Sequence, residues 1–268
     1  MDVQALAQEF LEVRGRGGSL IPPSTRFEDW NLAAGYAVGH ELAKLRQKSG
    51  WVSAGRKIGF TNKTIWPSLG MDTVIWAYIY EQTIHYAHNN EAELSLARTY
   101  STLIEPEIVF KLKAPLTASD SDPVTILEKV EWLALGYEVV DCNFPAWKFI
   151  PSDAVADFGL HFGLIIGEPQ PIRDPSRLAE ELGSFQIKLF KDGQEAARGK
   201  GSDVLEASPA AGLHWLARTL EEQGAPPLAA GEIITTGTLT PAPEVKPGQA
   251  WNTTVEGIEL PGLFLRFT

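Results

Sequence analysis

Two carboxylates, Glu105 and Glu107, stand two residues apart inside the apolar run Leu103-Ile104-Glu105-Pro106-Glu107-Ile108-Val109-Phe110. In an extended segment, successive side chains point to opposite faces. Glu105 and Glu107 then project together, with Ile104, Pro106 and Ile108 on the other side. Two anions on one face repel, which is tolerable on a wet surface or beside a divalent cation that takes oxygen ligands. Leu103, Val109 and Phe110 mark the segment as at least half buried. A buried pair of carboxylates with no cation raises its own pKa and protonates.

The elements that must position this pair are legible in outline. Asp2 can cap a first helix with Val3, Leu6, Phe10 and Leu11 at helical spacing, ended by Gly15, Gly17 and Gly18. Thr25 and Glu28 have capping-box spacing, predicting a second helix to about Gly50 with Ala34, Val38, Leu42 and Leu45 inward. The glycine-rich stretch from Arg14 to Ser19 lacks the lysine and context of a phosphate loop and reads as a linker. From Trp51 the texture is β-rich: Arg56 to Thr61, Thr73 to Tyr80, Tyr100 to Leu112, Tyr137 to Cys142 and Leu160 to Gly167 read as strands. Asp122-Pro123 predicts a helix with Ile126, Leu127, Val130, Leu133 and Ala134 on one side, stopped by Gly136. Phe185 to Gly199 reads as a hairpin turning at Asp192-Gly193, and Ser208-Pro209 starts a helix ending at Gly224. The tail returns to strands over Glu232 to Thr240, Trp251 to Val255 and Leu263, Leu265 and Phe267.

A chain of 268 residues can bury a substantial core, and 44% of its residues are hydrophobic. The net charge of -11, from 23 basic against 34 acidic residues, argues against a nucleic-acid backbone as partner. No apolar run is long enough to cross a bilayer, and the start shows no secretion signal, so a cytoplasmic protein is expected. The one cysteine, Cys142, excludes an internal disulfide and a cysteine zinc cage, and it has no basic partner nearby in sequence.

A third acid, Glu138 or Asp141, follows in Gly136-Tyr137-Glu138-Val139-Val140-Asp141. If this strand neighbours the Glu105 strand, three carboxylates make a hard, oxygen-only site suited to Mg²⁺ or Mn²⁺. Five segments in order carry a resemblance: Gly55-Arg56-Lys57-Ile58-Gly59-Phe60-Thr61, Glu105-Pro106-Glu107-Ile108, Glu138-Val139-Val140-Asp141, Trp147-Lys148 with Asp153-Ala154-Val155-Ala156-Asp157, and Gly231-Glu232-Ile233-Ile234-Thr235-Thr236-Gly237-Thr238. Together they resemble the fumarylacetoacetate hydrolase superfamily, in its branch of 2-hydroxypenta-2,4-dienoate (2-keto-4-pentenoate) hydratases and 4-oxalocrotonate decarboxylases.

The resemblance implies an α+β fold: a mixed β-sandwich roll or barrel (residues 61–268) behind a small helical N-terminal unit (residues 1–60), assembled as a homo-oligomer. It implies Mg²⁺ or Mn²⁺ held by Glu105, Glu107 and Glu138, with Asp141 competing for the third place. Lys57 corresponds to the family's lysine, and Thr236 or Thr238 would lie near the carboxylate of a 2-oxo acid. The implied activity is that of a metal-dependent lyase of aromatic-compound degradation, hydratase or decarboxylase, working through an enolate. The alternative is a C–C hydrolase of an acylpyruvate, and a third reading is a non-catalytic partner subunit.

Some positions depart from the branch. Its Pro-Asp-aromatic-Gly segment corresponds to Asp72-Thr73-Val74-Ile75-Trp76-Ala77-Tyr78, with Ile75 or a neighbour in place of the acid. Its Ala-Asp-Asn segment becomes Ala156-Asp157-Phe158, followed by His161. Asp157 and His161 are therefore taken as catalytic candidates beside Lys57. His88-Asn89-Asn90-Glu91 has the spacing of the hydrolase branch's lid dyad, or is a solvated loop, and His85 is equally ambiguous.

Overall fold

The computed structural model describes residues 1–268. Seven α-helices are α1 (Val3–Arg16), α2 (Leu32–Lys48), α3 (Trp66–Leu69), α4 (Pro123–Glu128), α5 (Pro151–Ala156), α6 (Pro175–Ser184) and α7 (Pro209–Glu222). Thirteen strands are β1 (Ser53–Gly59), β2 (Ile75–Tyr80), β3 (Ile84–Tyr86), β4 (Glu91–Leu94), β5 (Thr102–Leu112), β6 (Val130–Asp141), β7 (His161–Ile166), β8 (Gln170–Pro171), β9 (Gln186–Lys191), β10 (Gln194–Lys200), β11 (Ile233–Thr235), β12 (Ala250–Glu256) and β13 (Phe264–Phe267).

The strands form two sheets, and the fold is α+β as expected. The larger sheet is mixed, in the order β2-β1-β11-β5-β6-β7-β3 with β8 on β6, and the smaller runs β10-β9-β12-β13-β4. β1 falls within the 1–60 segment read as a separate unit, yet it pairs with β2 and β11 inside the large sheet. Only α1, α2 and a short 3₁₀ turn between them precede it.

The N-terminal helix is capped as its sequence requires: the Asp2 carboxylate accepts from the backbone N–H groups of Gln4 and Ala5. It runs to Arg16 and ends at left-handed Gly17, so the first three residues of the segment read as a linker, from Arg14, are the helix's last turn. Leu6, Ala7, Phe10 and Val13 fix its inner face. The second helix starts later than the capping-box spacing suggests. Asn31 caps it through the N–H of Ala34, and Thr25 closes a short 3₁₀ turn instead.

The helix expected from Asp122 is also corrected. α4 stops at Glu128, and Leu133, Ala134 and Gly136 lie in the twelve-residue strand β6. Its run from Leu133 to Asp141 is buried throughout, because β5 and β7 flank it. A strand buried on both faces has no alternation, so its apolar spacing imitates a helix. The hairpin at Asp192-Gly193 and the helix from Pro209 form where expected, and β11 is shorter than the Glu232 to Thr240 reading.

Candidate active site

β5 and β6 are antiparallel neighbours, in a register that sets Glu105 directly opposite Glu138 and Glu107 opposite Gly136. Like charges directly opposite are destabilising unless something offsets them. One carboxylate oxygen from each of Glu105, Glu107 and Glu138 lies within 4.8 Å of the others. Glu107 and Glu138 are fully buried and Glu105 is half buried.

Lys57 reaches the trio from β1. In the sheet order β11 and β5 lie between β1 and β6, a separation of roughly 14 Å in a flat sheet. Lys57 Nζ nevertheless stands 3.0 Å from Glu138 Oε2. Only a curled sheet, with both side chains on its concave side, closes that gap. The ammonium also donates to the carbonyl of Gly159 at 3.1 Å. His161 Nδ1 is 2.8 Å from Glu138 Oε1, and Nε2 is 2.9 Å from Thr83 Oγ1. Burial lowers the His161 pKa, so the ring is neutral. The Glu138 carboxylate only accepts, so Nδ1–H is the donor to it, while the Thr83 hydroxyl gives its own proton to the Tyr80 carbonyl at 3.0 Å. Glu107 Oε2 accepts from the N–H of Gly237 at 2.8 Å. Gly237 has φ 92°, and a Cβ there would lie 2.1 Å from Thr61 Oγ1, so the loop makes this approach only with glycine.

The donor set fits a hard divalent cation. Glu107 Oε1 is buried with no hydrogen-bond donor. Glu138 Oε2 is close enough to Lys57 for an ion pair, but the geometry is too poor for a hydrogen bond. Burial pushes Glu105 up to about 7, with Lys57 opposing it, and raises Glu107 well above the usual carboxylate range, reinforced by Glu138 and Glu105. Burial would raise Glu138 too, but Lys57 and His161 outweigh it and hold it low. Burial also disfavours the charge on Lys57, and here the three glutamates prevail and raise its pKa. Anionic oxygens packed together and left without donors are what a cation bound among them would offset.

Lys57 and Glu105 open onto a cavity of about 820 Å³, whose wall also includes Ile75, Arg198, Gly237 and Thr238. Thr238 Oγ1 donates to the carbonyl of Thr240, and the buried Thr236 Oγ1 donates to the carbonyl of Ile108 without lining the cavity. Ile75 lines the cavity as an apolar side chain, at the segment where the sequence shows no acid in place of the branch's aspartate. Asp157 does not line the cavity either. Its buried carboxylate is held by Arg14, and burial pushes it up to about 6 against the pull of that guanidinium. Asp141 is likewise engaged, accepting from the N–H groups of Tyr100 and Ser101. Exposed His88 and Glu91 pair through their backbones across a turn of left-handed Asn89 and Asn90, and neither they nor His85 line the cavity. Sequence reasoning missed Arg14, Thr83 and the Gly159 carbonyl. Arg14, as a cation at the last turn of an apolar-faced helix, was the one with a visible signal.

A search of family models returned no match. The chain is 28% identical over 256 residues, 96% of its length and 94% of the relative's, to the 2-hydroxyhexa-2,4-dienoate hydratase of Comamonas testosteroni. Its structure is similar to that of the 4-oxalocrotonate decarboxylase from Pseudomonas putida G7 complexed with magnesium and adipate, with TM-score 0.89, 24% identity, and 99% and 97% of the two chains covered. The fumarylpyruvate hydrolase of Pseudomonas aeruginosa in complex with Mn²⁺ and pyruvate is further off, with TM-score 0.57, 16% identity, and 81% and 90% covered. The chain shares its fold with these solved structures, among them a fumarylacetoacetate hydrolase family protein from Yersinia pestis, and the sequence relatives it matches are hydratases and decarboxylases.

Proposed function

We propose that this chain is a divalent-metal-dependent lyase that hydrates a short 2-hydroxydienoate, such as those released in aromatic-ring degradation. The observation that carries the reading is the convergence of Glu105, Glu107 and Glu138, with Lys57 beside them, at the end of one cavity. The cation these carboxylates would hold is Mg²⁺ or Mn²⁺. When bound, it supplies Lewis acidity toward the carboxylate and C2 oxygen of a 2-oxo or 2-hydroxy acid. Hydration adds one water overall: the C2 enol loses its O–H proton as a proton goes to the terminal carbon C5, and hydroxide at C4 with a proton at C3 completes the 4-hydroxy-2-oxo acid.

Lys57 is placed for two tasks. Its Nζ, tethered to Gly159, presents a positive charge at the cavity wall to a substrate carboxylate, and it is a proton-bearing group within reach of the same end. With Ile75 in the wall, no carboxylate from that segment shares the work. His161 and Thr83 act one layer back, by orienting Glu138. Thr238 lies on the cavity wall, where it can meet the substrate's polar end.

A second reading, decarboxylation of a 2-oxo dicarboxylate, is favoured by Arg198. This side chain lines the same cavity, though it is mostly exposed and paired with Glu195. A distal carboxylate could compete for it. The acylpyruvate-hydrolase reading has less support, since His88 and Glu91 lie off the cavity and the hydrolase structure is the more distant neighbour. Incubation of the protein and Mg²⁺ with 2-hydroxypenta-2,4-dienoate, 4-oxalocrotonate and an acylpyruvate separates the three. A 4-hydroxy-2-oxo acid is expected. Carbon dioxide release selects the decarboxylase, and pyruvate with a second acid overturns the lyase reading.

A further inference from the structure

Residues 158–160 adopt an unusual backbone. Phe158, Gly159 and Leu160 have φ of 54°, 62° and 63°, three consecutive left-handed residues, two of them apolar side chains that rarely adopt that region. All three are buried. The turn nevertheless carries two contacts to the site. The Gly159 carbonyl receives Lys57 Nζ, and His161, immediately after the turn, aims Nδ1 at Glu138. A Cβ at Gly159 would lie 2.9 Å from Lys57 Cδ and 3.0 Å from Ala77 Cβ, so the turn is pressed against the lysine stem. Something outside the turn must hold it in this shape.

We infer that Arg14, at the end of the first helix, is the positioning residue that holds this turn and thereby sets Lys57 and His161 for the reaction. Its guanidinium grips both ends. Nε pairs with the Asp157 carboxylate, and Nη2 donates to the Asp157 carbonyl at 3.1 Å. Nη1 donates to the His161 carbonyl at 2.9 Å, and Nη2 also reaches the Asp141 carbonyl at 3.0 Å, which joins the turn to the end of β6. A planar guanidinium with five donors can bracket a turn in this way, and an ammonium cannot. Asp157 is then the anion that seats Arg14, not a group that touches substrate. The first helix stays docked without Arg14, because Leu6, Ala7, Phe10 and Val13 are buried independently.

The catalytic part of this inference rests on the proposed lyase reading, and the test separates the two. Arg14→Met alone strands the buried Asp157 charge and destabilises the fold. Arg14→Met/Asp157→Asn removes both charges and is the informative variant. The measurements are denaturant unfolding, steady-state hydration of the dienoate with Mg²⁺, and amide hydrogen exchange at residues 158–161. The double variant is expected to recover most of the stability lost in the single one. Its kcat should stay about 10- to 100-fold below the parent with KM changed less, and exchange at 158–161 should speed at least about tenfold while β5 and β6 are unaffected. Recovery of kcat together with stability, or unchanged exchange in the turn, would overturn the inference. Should the unaltered protein turn over none of the substrates, the proposed function fails, and the exchange measurement still decides whether Arg14 holds the turn.

Discussion

Replacement of Glu107 by glutamine isolates the role of the buried trio. In the metal-free chain Glu107 holds a proton well above the usual carboxylate range, because burial and the charges of Glu138 and Glu105 disfavour its anion. Glutamine has the shape of that protonated acid and keeps a carbonyl oxygen for the Gly237 N–H. Glu107→Gln should therefore leave stability in excess chelator within about 1 kcal/mol of the parent. Metal binding should change far more. A cation present at one hundred times its dissociation constant stabilises the folded chain by about 2.7 kcal/mol. For a chain of this length that raises Tm by roughly 5–10 °C. Loss of an outer partner of a ligand already costs about 10- to 100-fold in affinity, so loss of a direct anionic ligand should cost at least about 100-fold. The same cation concentration then equals the new dissociation constant and gives about 0.4 kcal/mol, or roughly 1 °C. Thermal unfolding of both proteins with Mn²⁺ and with chelator reads this directly. An equal metal-induced rise in parent and variant would refute the assignment of Glu107, and so would a variant that unfolds in chelator many degrees below the parent.

Three further outcomes follow from the same geometry. His161→Gln removes the imidazole that orients Glu138, and metal affinity measured by calorimetry should fall about 10- to 100-fold; an unchanged affinity would make His161 a core residue only. Lys57→Met should reduce binding of oxalate to the metal-loaded protein by at least about tenfold while metal affinity changes less, and equal losses would make Lys57 structural. Glu105, pushed up to about 7 from 4.5, and Asp157, pushed up to about 6 from 3.8, bind protons in the folded state that the unfolded chain has released. Their contribution is therefore complete below the lower values and disappears as pH rises through the higher ones. Denaturant titrations in chelator should show stability falling between about pH 4.5 and pH 7, and saturating metal should cancel the Glu105 part because the cation competes with the proton. A metal-free protein whose stability rises across that window would contradict the burial of this cluster.

The carboxylate trio was legible because it depends on local signals. The spacing of Glu105 and Glu107 in an apolar strand puts them on one face whatever the topology, and Glu138 sits in a second apolar strand. The pairing that joins them was not legible, since β6 from Val130 to Asp141 has no alternation and half of it imitated a helix. The capped first helix and the hairpin at Asp192-Gly193 were readable because caps and turns need particular residues. The setting of Asp157 was not legible for a physical reason: its partner Arg14 lies 143 residues away in sequence, in a stretch whose glycines suggested a linker. Lys57 was singled out by its glycine flanks and the family pattern. Its reach to Glu138 depends on the curl of a seven-strand path, which no local spacing encodes.

The proposed chemistry requires one cation lying between Glu105, Glu107 and Glu138. Crystals of the protein soaked in Mn²⁺ and measured at a wavelength where manganese scatters anomalously test this directly. A single strong anomalous peak within coordination distance of all three carboxylates is predicted. A peak elsewhere, or density showing the three carboxylates paired only with protein groups at saturating Mn²⁺, would contradict it.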